Sequence, residues 1–226
     1  MAVVEDQTPS RPEYPLGWKD GGVPTHVALL RGINLGAHSR VAMADLRRVV
    51  TSLGHTEVAT YIQSGNAVFT TQETDSVALA AGLEAAIAEG LDVHPSVVVL
   101  SRAELARVIA DNPFPDERNP KHLHAVLRGD DPDSETLAGI AAAQRRATEK
   151  GSPDESRVVG RTLFLRTPGG MGRSELAAQL ARSERARATG VSGTARNWAT
   201  VTKLLALLDA SSAVLVYGAA SRPSST

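Results

Sequence analysis

Short apolar runs alternate with amphipathic segments along the first hundred residues. Four of these runs have the length of buried strands, at residues 27–30, 58–62, 67–69 and 96–100. Between them, apolar residues recur at helical spacing in segments 43–53 and 76–89. The order β-α-β-β-α-β predicts a ferredoxin-like lobe, in which two helices cover one face of a four-stranded antiparallel sheet.

The second half of the chain repeats this order. Strands are predicted at residues 122–127, 157–159 and 162–165, with 213–217 as a last strand, and helices at 132–147, 174–181 and 200–208. Ser101 and Glu104 have the capping-box spacing, so a further helix is expected between the halves. The fold class is therefore predicted as α+β, with two ferredoxin-like α/β sandwich lobes. Since neither lobe has a large core alone, we expect the lobes to pack against each other.

These patterns divide the chain into four segments. Residues 1–23 are rich in proline and glycine, lack a periodic apolar face and are predicted to be flexible. Residues 24–111 are predicted to form the first lobe and residues 112–217 the related second lobe. The last residues, 218–226, are small and polar and are predicted to be disordered.

Several motifs occur in one order along the chain. The first are Arg-Gly-Ile-Asn-Leu-Gly at 31–36, Arg40 followed by Met-Ala-Asp-Leu at 43–46, and Tyr-Ile-Gln-Ser-Gly-Asn at 61–66. The later ones are Asn-Pro-Phe at 112–114, Gly-Gly-Met-Gly-Arg-Ser at 169–174 and Thr-Ala-Arg-Asn-Trp-Ala-Thr-Val at 194–201. Together they resemble the bacterial domain of unknown function 1697 (DUF1697) family, with Ala37 standing where that family often has a second glycine. The resemblance covers roughly Pro24 to Leu208 and implies a fold, but no particular reaction.

Composition narrows the classes of function. The formal net charge of −1, from 24 basic and 25 acidic residues, gives no overall attraction for nucleic acid or anionic membranes. Aromatic residues make up only 4% of the chain, which disfavours a base-stacking surface. Cysteine is absent, which excludes disulfides and thiol chemistry, and no apolar run is long enough to cross a bilayer. We expect a soluble cytoplasmic protein.

One group of candidate ligand-binding residues lies around the loop that follows the first strand. Arg31, Asn34 and Arg40 provide cations and an amide beside glycine N–H groups, a combination that suits an anion. The alternative is a plain turn in which Arg31 pairs with a local carboxylate. The hairpin residues Ser64 and Asn66 join this candidate set, although a turn role for Ser64 is far more common than a nucleophilic one.

A second group of candidates is the run Arg196, Asn197 and Trp198. It combines a planar cation, an amide and a large amphipathic ring, which occur together more often in binding sites than in cores. In the alternative interpretation, Trp198 plugs the junction between the lobes while Arg196 and Asn197 bind backbone groups at a helix end. Both interpretations are equally compatible with the sequence.

Other motifs indicate chemistry more weakly. The glycine-rich segment 168–174 opens a helix but lacks the ending of a phosphate-binding P-loop, so a structural turn is favoured. His122 and His124 have no third ligand nearby, and no metal or cofactor is predicted. No nucleophile with partners and no general base is visible, so catalytic residues are unknown.

The leading hypothesis is a module that binds a small anionic or phosphate-bearing ligand in a cleft between the lobes, since each half supplies an arginine and an asparagine. An enzyme that acts on a phosphorylated metabolite is one alternative, with arginines stabilising developing charge. A protein or nucleic-acid interaction module is another, although the strands lack the aromatic pair of an RNA-binding sheet. No membrane partner is expected, and the protein is expected to be a monomer or a homodimer.

Overall fold

The computed structural model describes residues 24–34, 39–186 and 193–218, and of residues 184–186 and 211–218 it describes the backbone only. The predictions for residues 1–23, 219–226 and Ala37 lie outside this range. The first half contains β1 (His26–Arg31), α1 (Met43–Ser52), β2 (Thr56–Tyr61), β3 (Asn66–Thr70), α2 (Ser76–Leu91), β4 (Ser96–Ser101) and α3 (Arg102–Ala110). The second half contains β5 (Leu123–Leu127), α4 (Ser134–Glu149), β6 (Glu155–Val159), β7 (Thr162–Arg166), α5 (Glu175–Ala186), β8 (Thr194–Asn197) and α6 (Trp198–Gly218).

Each half forms its own four-stranded antiparallel sheet. The strand order is β2-β3-β1-β4 in the first sheet and β6-β7-β5-β8 in the second. Both orders place the first and third strands of the unit in the centre, as in a ferredoxin-like fold. The predicted α+β class with two ferredoxin-like lobes is therefore confirmed, whereas the division of the chain between residues 111 and 112 stays a prediction.

The last strand of the second lobe is not where the sequence pattern predicts it. Residues 213–217 continue helix α6, and the fourth strand is instead β8, whose Ala195 and Arg196 pair with Val126 and Ala125 of β5. The prediction of a strand at 213–217 was wrong because a short apolar run fits a buried helix as well as a strand. Strand β8 carries no apolar alternation, so only its pairing with β5 defines it.

The two lobes share an apolar layer between their sheets. Val27 and Leu29 of β1 face Leu123 and Ala125 of β5 across this layer, and Phe164 of β7 is fully buried in it. The opposite faces of the sheets are covered by α1 and α2 in the first lobe and by α4 and α5 in the second. The faces that a ferredoxin-like sheet leaves open are thus buried against each other, as the small size of each lobe requires.

Helices α3 and α6 complete the inter-lobe layer. The side chain of Ser101 accepts a hydrogen bond from the backbone N–H of Glu104, and Glu104 in turn accepts from the N–H of Ser101, so the predicted capping box is confirmed. Leu105 of α3 and Leu204 of α6 are fully buried in the layer. Arg102 donates to the Asp209 carboxylate at 2.6 Å and so joins the two helices at the surface.

The β2–β3 hairpin turns at a glycine that admits no side chain. Gly65 has a φ of +73°, and a Cβ placed there would lie 2.7 Å from the Cδ1 of Ile33 and 2.9 Å from the Cβ of Leu30. Gly54 after α1 has a similar φ of +85°, but a Cβ placed there would meet nothing within 4 Å. A comparison of substitutions at the two glycines therefore distinguishes the cost of a left-handed backbone from the cost of a steric clash.

We expect Gly65→Ala to lower the free energy of unfolding by about 3 kcal/mol, because it adds overpacking to left-handed strain. Gly54→Ala is the matched control and should cost only about 1 kcal/mol, from the backbone alone. Urea denaturation of both variants checks this. Equal losses in the two variants would contradict the close packing of the hairpin on Ile33.

A pair of histidines lies at the other end of the first sheet. His26 is buried, its Nδ1 lies 2.8 Å from the Thr25 hydroxyl, and its ring stacks near Phe69. The ring of His55 lies 4.7 Å from the Phe69 ring. Burial lowers the pKa of both histidines below 6.5; for His26 the charge of Glu104 offsets part of this effect, and His55 reinforces it.

The free energy of unfolding should therefore fall as the pH drops below about 6.5, since the unfolded chain binds protons that the folded protein excludes. Denaturation of the wild type at pH 7.0, 6.0 and 5.0, roughly spanning the histidine range, measures this. In His26→Gln the free energy of unfolding should fall less steeply as the pH drops. His94→Gln, at an exposed site, should behave like the wild type. An unchanged pH dependence in His26→Gln would exclude this assignment.

Candidate functional site

Arg196 projects from β8 of the second lobe onto the first lobe. Its Nε donates to the Asn66 Oδ1 at 2.6 Å, and its Nη2 donates to the Leu30 carbonyl at 2.8 Å. The Nη2 also lies 3.0 Å from the Ser64 carbonyl oxygen, and the Nη1 donates to the Thr194 hydroxyl at 2.6 Å. Further contacts to the carbonyls of Ala195 and Gly65 leave no N–H of the guanidinium without an acceptor.

This arginine is a buried cation held by neutral oxygens. Only 8% of its surface is exposed, and burial lowers its pKa to about 10, which still leaves it charged at neutral pH. Its acceptors among the described residues are carbonyl, amide and hydroxyl oxygens and include no carboxylate, so neutral dipoles balance its charge. Because every donor is already used, Arg196 joins the lobes in this structure and has no N–H left for a ligand.

Asn66 connects Arg196 by hydrogen bonds to the turn of the β2–β3 hairpin. Its side chain is fully buried, and its amide nitrogen donates to the Tyr61 carbonyl and to the Ser64 hydroxyl, both at 3.0 Å. Its Oδ1 accepts the bond from Arg196. Ser64 is exposed, but its hydroxyl and its carbonyl oxygen both take part in this network. The hairpin thus supplies oxygen atoms on the first lobe that bind the Arg196 guanidinium.

Asn34 organises the loop after β1. Its φ of 57° is left-handed, which asparagine tolerates better than most residues. Its amide nitrogen donates to the Gln63 carbonyl at 2.9 Å, and its Oδ1 accepts from the N–H of Val41 at 2.9 Å. The same residue therefore closes its own loop and ties that loop to the hairpin. Arg31, half-buried at the end of β1, and Arg40, exposed, lie at this end of the sheet.

Asn197 and Trp198 mark the start of α6. The Oδ1 of Asn197 accepts a hydrogen bond from the N–H of Thr200 at 2.8 Å, which is the geometry of a helix N-cap. Trp198 is half-buried against the inter-lobe layer, and its ring centroid lies 6.2 Å from that of Phe164. The structure thus places both residues in the positions that the alternative, structural interpretation of this motif describes. Their part in ligand binding stays a prediction.

The glycine-rich segment 168–174 does not offer a free helix end. The Asp154 carboxylate, buried in the second lobe, accepts from the Ser174 hydroxyl at 2.8 Å and from the N–H of Leu176 at 3.3 Å. Ser174 also caps α5 by accepting from the N–H of Ala177. An internal carboxylate therefore occupies the position that a phosphate would take at this helix N-terminus.

A pocket opens between the lobes at a different place from the predicted residues. It has a volume of about 250 Å³ and lies among α3, the loop after β5 and the β6–β7 hairpin. Its apolar wall is formed by Leu100, Val108, Leu127 and Phe164, which belong to the inter-lobe layer or pack against it. Six charged residues also line it: Glu104, Arg107, Asp111, Arg128, Asp131 and Arg161.

Two of these charged residues are already paired across the pocket. Arg161 donates to the Glu104 carboxylate and to the Gly129 carbonyl, at 2.6 Å and 2.7 Å. Burial alone would raise the pKa of Glu104. Hydrogen bonds from Ser101 and from the Arg161 guanidinium nevertheless hold that pKa below its ordinary value. Arg161 and Glu104 therefore form one neutral ion pair between the β6–β7 hairpin and α3.

The other charged residues of the pocket have no such partners. Among residues 24–34, 39–186 and 193–218, none makes a hydrogen bond or ion pair with the side chains of Arg107, Asp111, Arg128 or Asp131. The Nε of Arg128 is buried and lacks an acceptor within this part of the chain. A buried donor without a partner costs free energy, which an added acceptor would recover.

None of these pocket residues is among the candidates that the sequence indicates. The sequence shows Glu104 as a helix cap and Arg161 as a hairpin residue, and both interpretations are correct as far as local structure goes. Arg128 and Asp131 stand in an ordinary polar loop. Only the packing of the lobes brings them together, so no local pattern could have identified them.

The described residues hold no group of three or more histidine, aspartate or glutamate side chains arranged to bind a metal ion. Within the same range, no helix has the length and apolar character that crossing a membrane requires.

Comparison with known proteins identifies the family. The family described as a protein of unknown function, DUF1697, matches residues 23–164. The chain belongs to the DUF1697 family. The matched range contains every residue of the inter-lobe pocket, whereas Arg196, Asn197 and Trp198 lie beyond it. The motifs at 169–174 and 194–201 that resemble the family also lie outside the matched range.

A solved structure shows the same fold. This DUF1697 protein resembles the conserved bacterial protein SP0830 from Streptococcus pneumoniae with a TM-score of 0.61 and 22% sequence identity. The similarity covers 83% of this chain and 99% of that one. At this identity the comparison supports the fold alone. No curated protein matches the chain.

We expect Arg196→Met to lower the free energy of unfolding by about 2–4 kcal/mol, because it leaves the Asn66 and Leu30 oxygens without donors. Arg196→Lys should recover part of this loss, since it keeps the charge but not the planar fork. Arg40→Met, at an exposed site, is the control and should change stability by less than about 0.5 kcal/mol. Chemical denaturation measures all three. If Arg196→Met were as stable as the wild type, this network would not be what holds the lobes together.

Proposed function

We propose that this DUF1697 protein binds a small ligand with an anionic group, such as a phosphate or a carboxylate, in the pocket between its lobes. Arg107 and Arg128 are the cationic contacts. The observation that carries the proposal is that two arginines line one inter-lobe pocket while their guanidinium groups have no acceptor among the described residues. Guanidinium groups without acceptors are ready donors for phosphate and carboxylate oxygens.

The burial of Arg128 supports this assignment. Its side chain is half-buried and its Nε is shielded from solvent, so the group has lost water contacts without gaining a protein acceptor. Arg161, by contrast, is already neutralised by Glu104. A ligand oxygen would therefore gain most from Arg128, with Arg107 at the exposed rim adding a second charge.

The proposal keeps the ligand class and the inter-lobe setting that the sequence indicates, but it changes the residues. Arg196 and Asn66 have their polar atoms engaged with each other and with the backbone, so we assign them to joining the lobes. The surface around Arg31, Asn34 and Arg40 remains a separate prediction. A ligand titration followed by NMR distinguishes the two places.

Binding rather than catalysis is proposed because the half-buried pocket carboxylate, Glu104, is already engaged by protein donors. Glu104 is held ionised by Ser101 and Arg161, so it does not exchange a proton near neutral pH. A nucleic-acid interaction on an open sheet face has no support either, because the inner faces of both sheets are buried against each other.

The proposal is tested by titrating ¹⁵N-labelled protein with phenyl phosphate, whose ring matches the apolar wall and whose phosphate matches the arginines. Amide shifts are expected at Arg107, Arg128 and residues 159–162. Arg128→Met should weaken the affinity by about tenfold or more, as the loss of a charged hydrogen bond predicts.

The control variant is Arg40→Met, which removes an exposed arginine outside the pocket and should bind phenyl phosphate like the wild type. Shifts confined to residues 31–34 and 39–41, abolished by Arg40→Met, would overturn the proposal in favour of the loop after β1. The absence of any shift around the pocket with phenyl phosphate and with a phenyl-bearing carboxylate, each at millimolar concentration, would also contradict it.

A further inference from the structure

The charges around the inter-lobe pocket are balanced in number. Arg107, Arg128 and Arg161 line it together with Glu104, Asp111 and Asp131. Once the Arg161–Glu104 ion pair is set aside, two arginines and two aspartates remain, none of them paired with a described residue. The pocket thus presents uncommitted groups of both signs to whatever enters it.

This balance discriminates between classes of anionic ligand. A phosphate dianion would be attracted by the arginines but repelled by Asp111 and Asp131 within the same small space. Complementary charge is what gives a site its selectivity, and like charges oppose binding. A ligand that carries both signs meets the arginines and the aspartates without such a conflict.

The apolar wall and the volume narrow the ligand further. Leu100, Leu127 and Phe164 are buried members of the inter-lobe layer, so an apolar group that enters the pocket continues an existing core. The volume of about 250 Å³ lies below the usual range for cofactor sites, roughly 300–1,000 Å³. Nucleotides and other large ligands are therefore disfavoured.

We infer that the ligand is a small zwitterion with an apolar body, that is, an apolar α-amino acid or a molecule of the same chemistry. Its carboxylate binds Arg107 and Arg128, its ammonium group binds Asp111 and Asp131, and its side chain packs on Leu127 and its apolar neighbours. This inference rests on the proposed function, because it assumes the same pocket and the same arginine contacts.

The test uses three probes that share a phenyl ring and differ in charge. Phenylalanine is the zwitterion, 3-phenylpropanoate lacks the ammonium group, and 2-phenylethylamine lacks the carboxylate. Amide shifts of the ¹⁵N-labelled protein give the affinity of each. We expect phenylalanine to bind at least tenfold more tightly than either of the other two probes.

Three variants assign the charges. Asp131→Asn should reduce the affinity for phenylalanine towards that for 3-phenylpropanoate and leave the latter no weaker, whereas Arg128→Met should weaken both. Asp131 is exposed, so its replacement is not expected to disturb folding, and Asp111→Asn provides a second variant of the same kind. Asp116→Asn, at an exposed site outside the pocket lining, is the matched control and should not change any affinity.

The outcomes separate this inference from the proposed function. If 3-phenylpropanoate binds at least as tightly as phenylalanine, and Arg128→Met weakens it, the pocket binds anions but the zwitterion assignment is wrong. If no probe shifts the amides around the pocket, including phenyl phosphate, both are wrong. Tight phenylalanine binding that Asp131→Asn and Asp111→Asn leave unchanged would likewise overturn the role of the aspartates.

Discussion

The apolar layer between the two sheets is the feature on which the rest of this structure depends. A ferredoxin-like sheet covers one face with its own helices and leaves the other face without cover. Here Val27 and Leu29 on one sheet and Leu123 and Ala125 on the other remove each other from water. Helices α3 and α6 seal the layer with fully buried leucines. Because small lobes have little core of their own, this shared burial is what makes the two halves one folding unit.

The polar groups at the edges of this layer are arranged in two different ways. On one side, Arg196 enters the first lobe and all of its donors find oxygens of Leu30, the hairpin or its own strand. On the other side, a pocket opens beside α3, and its lining includes four charged residues with no partner in the described part of the chain. The first arrangement joins the lobes, and the second leaves donors and acceptors available. Binding is therefore assigned to the second.

Much of the fold could be predicted from local patterns. Helical periodicity and the Ser101 capping box each depend on neighbours in the sequence, and each is found as expected. Strand β8 was not predicted because Thr-Ala-Arg-Asn shows no alternation of apolar and polar side chains. It is a strand because it pairs with β5, about 70 residues earlier. Residues 213–217 were misassigned for the converse reason, since apolar composition alone does not distinguish helix from strand.

The candidate site was harder to predict than the fold. An arginine beside an asparagine and a tryptophan looks the same in sequence whether it binds a ligand or fills a lobe junction, and only the acceptors around Arg196 distinguish the two. The pocket residues are scattered from Leu100 to Phe164 and are brought together by tertiary packing. No motif marks them, because each has an ordinary local role as well.

Native-state hydrogen exchange of the wild-type protein tests the central claim most directly. If burial between the sheets makes the lobes one unit, the slowest amides of β1 and β5 should exchange with the same opening free energy, within about 0.5 kcal/mol, and that value should equal the global free energy of unfolding. Exchange of one sheet through an opening several kcal/mol below the global value would show that the lobes unfold separately, and would contradict this account.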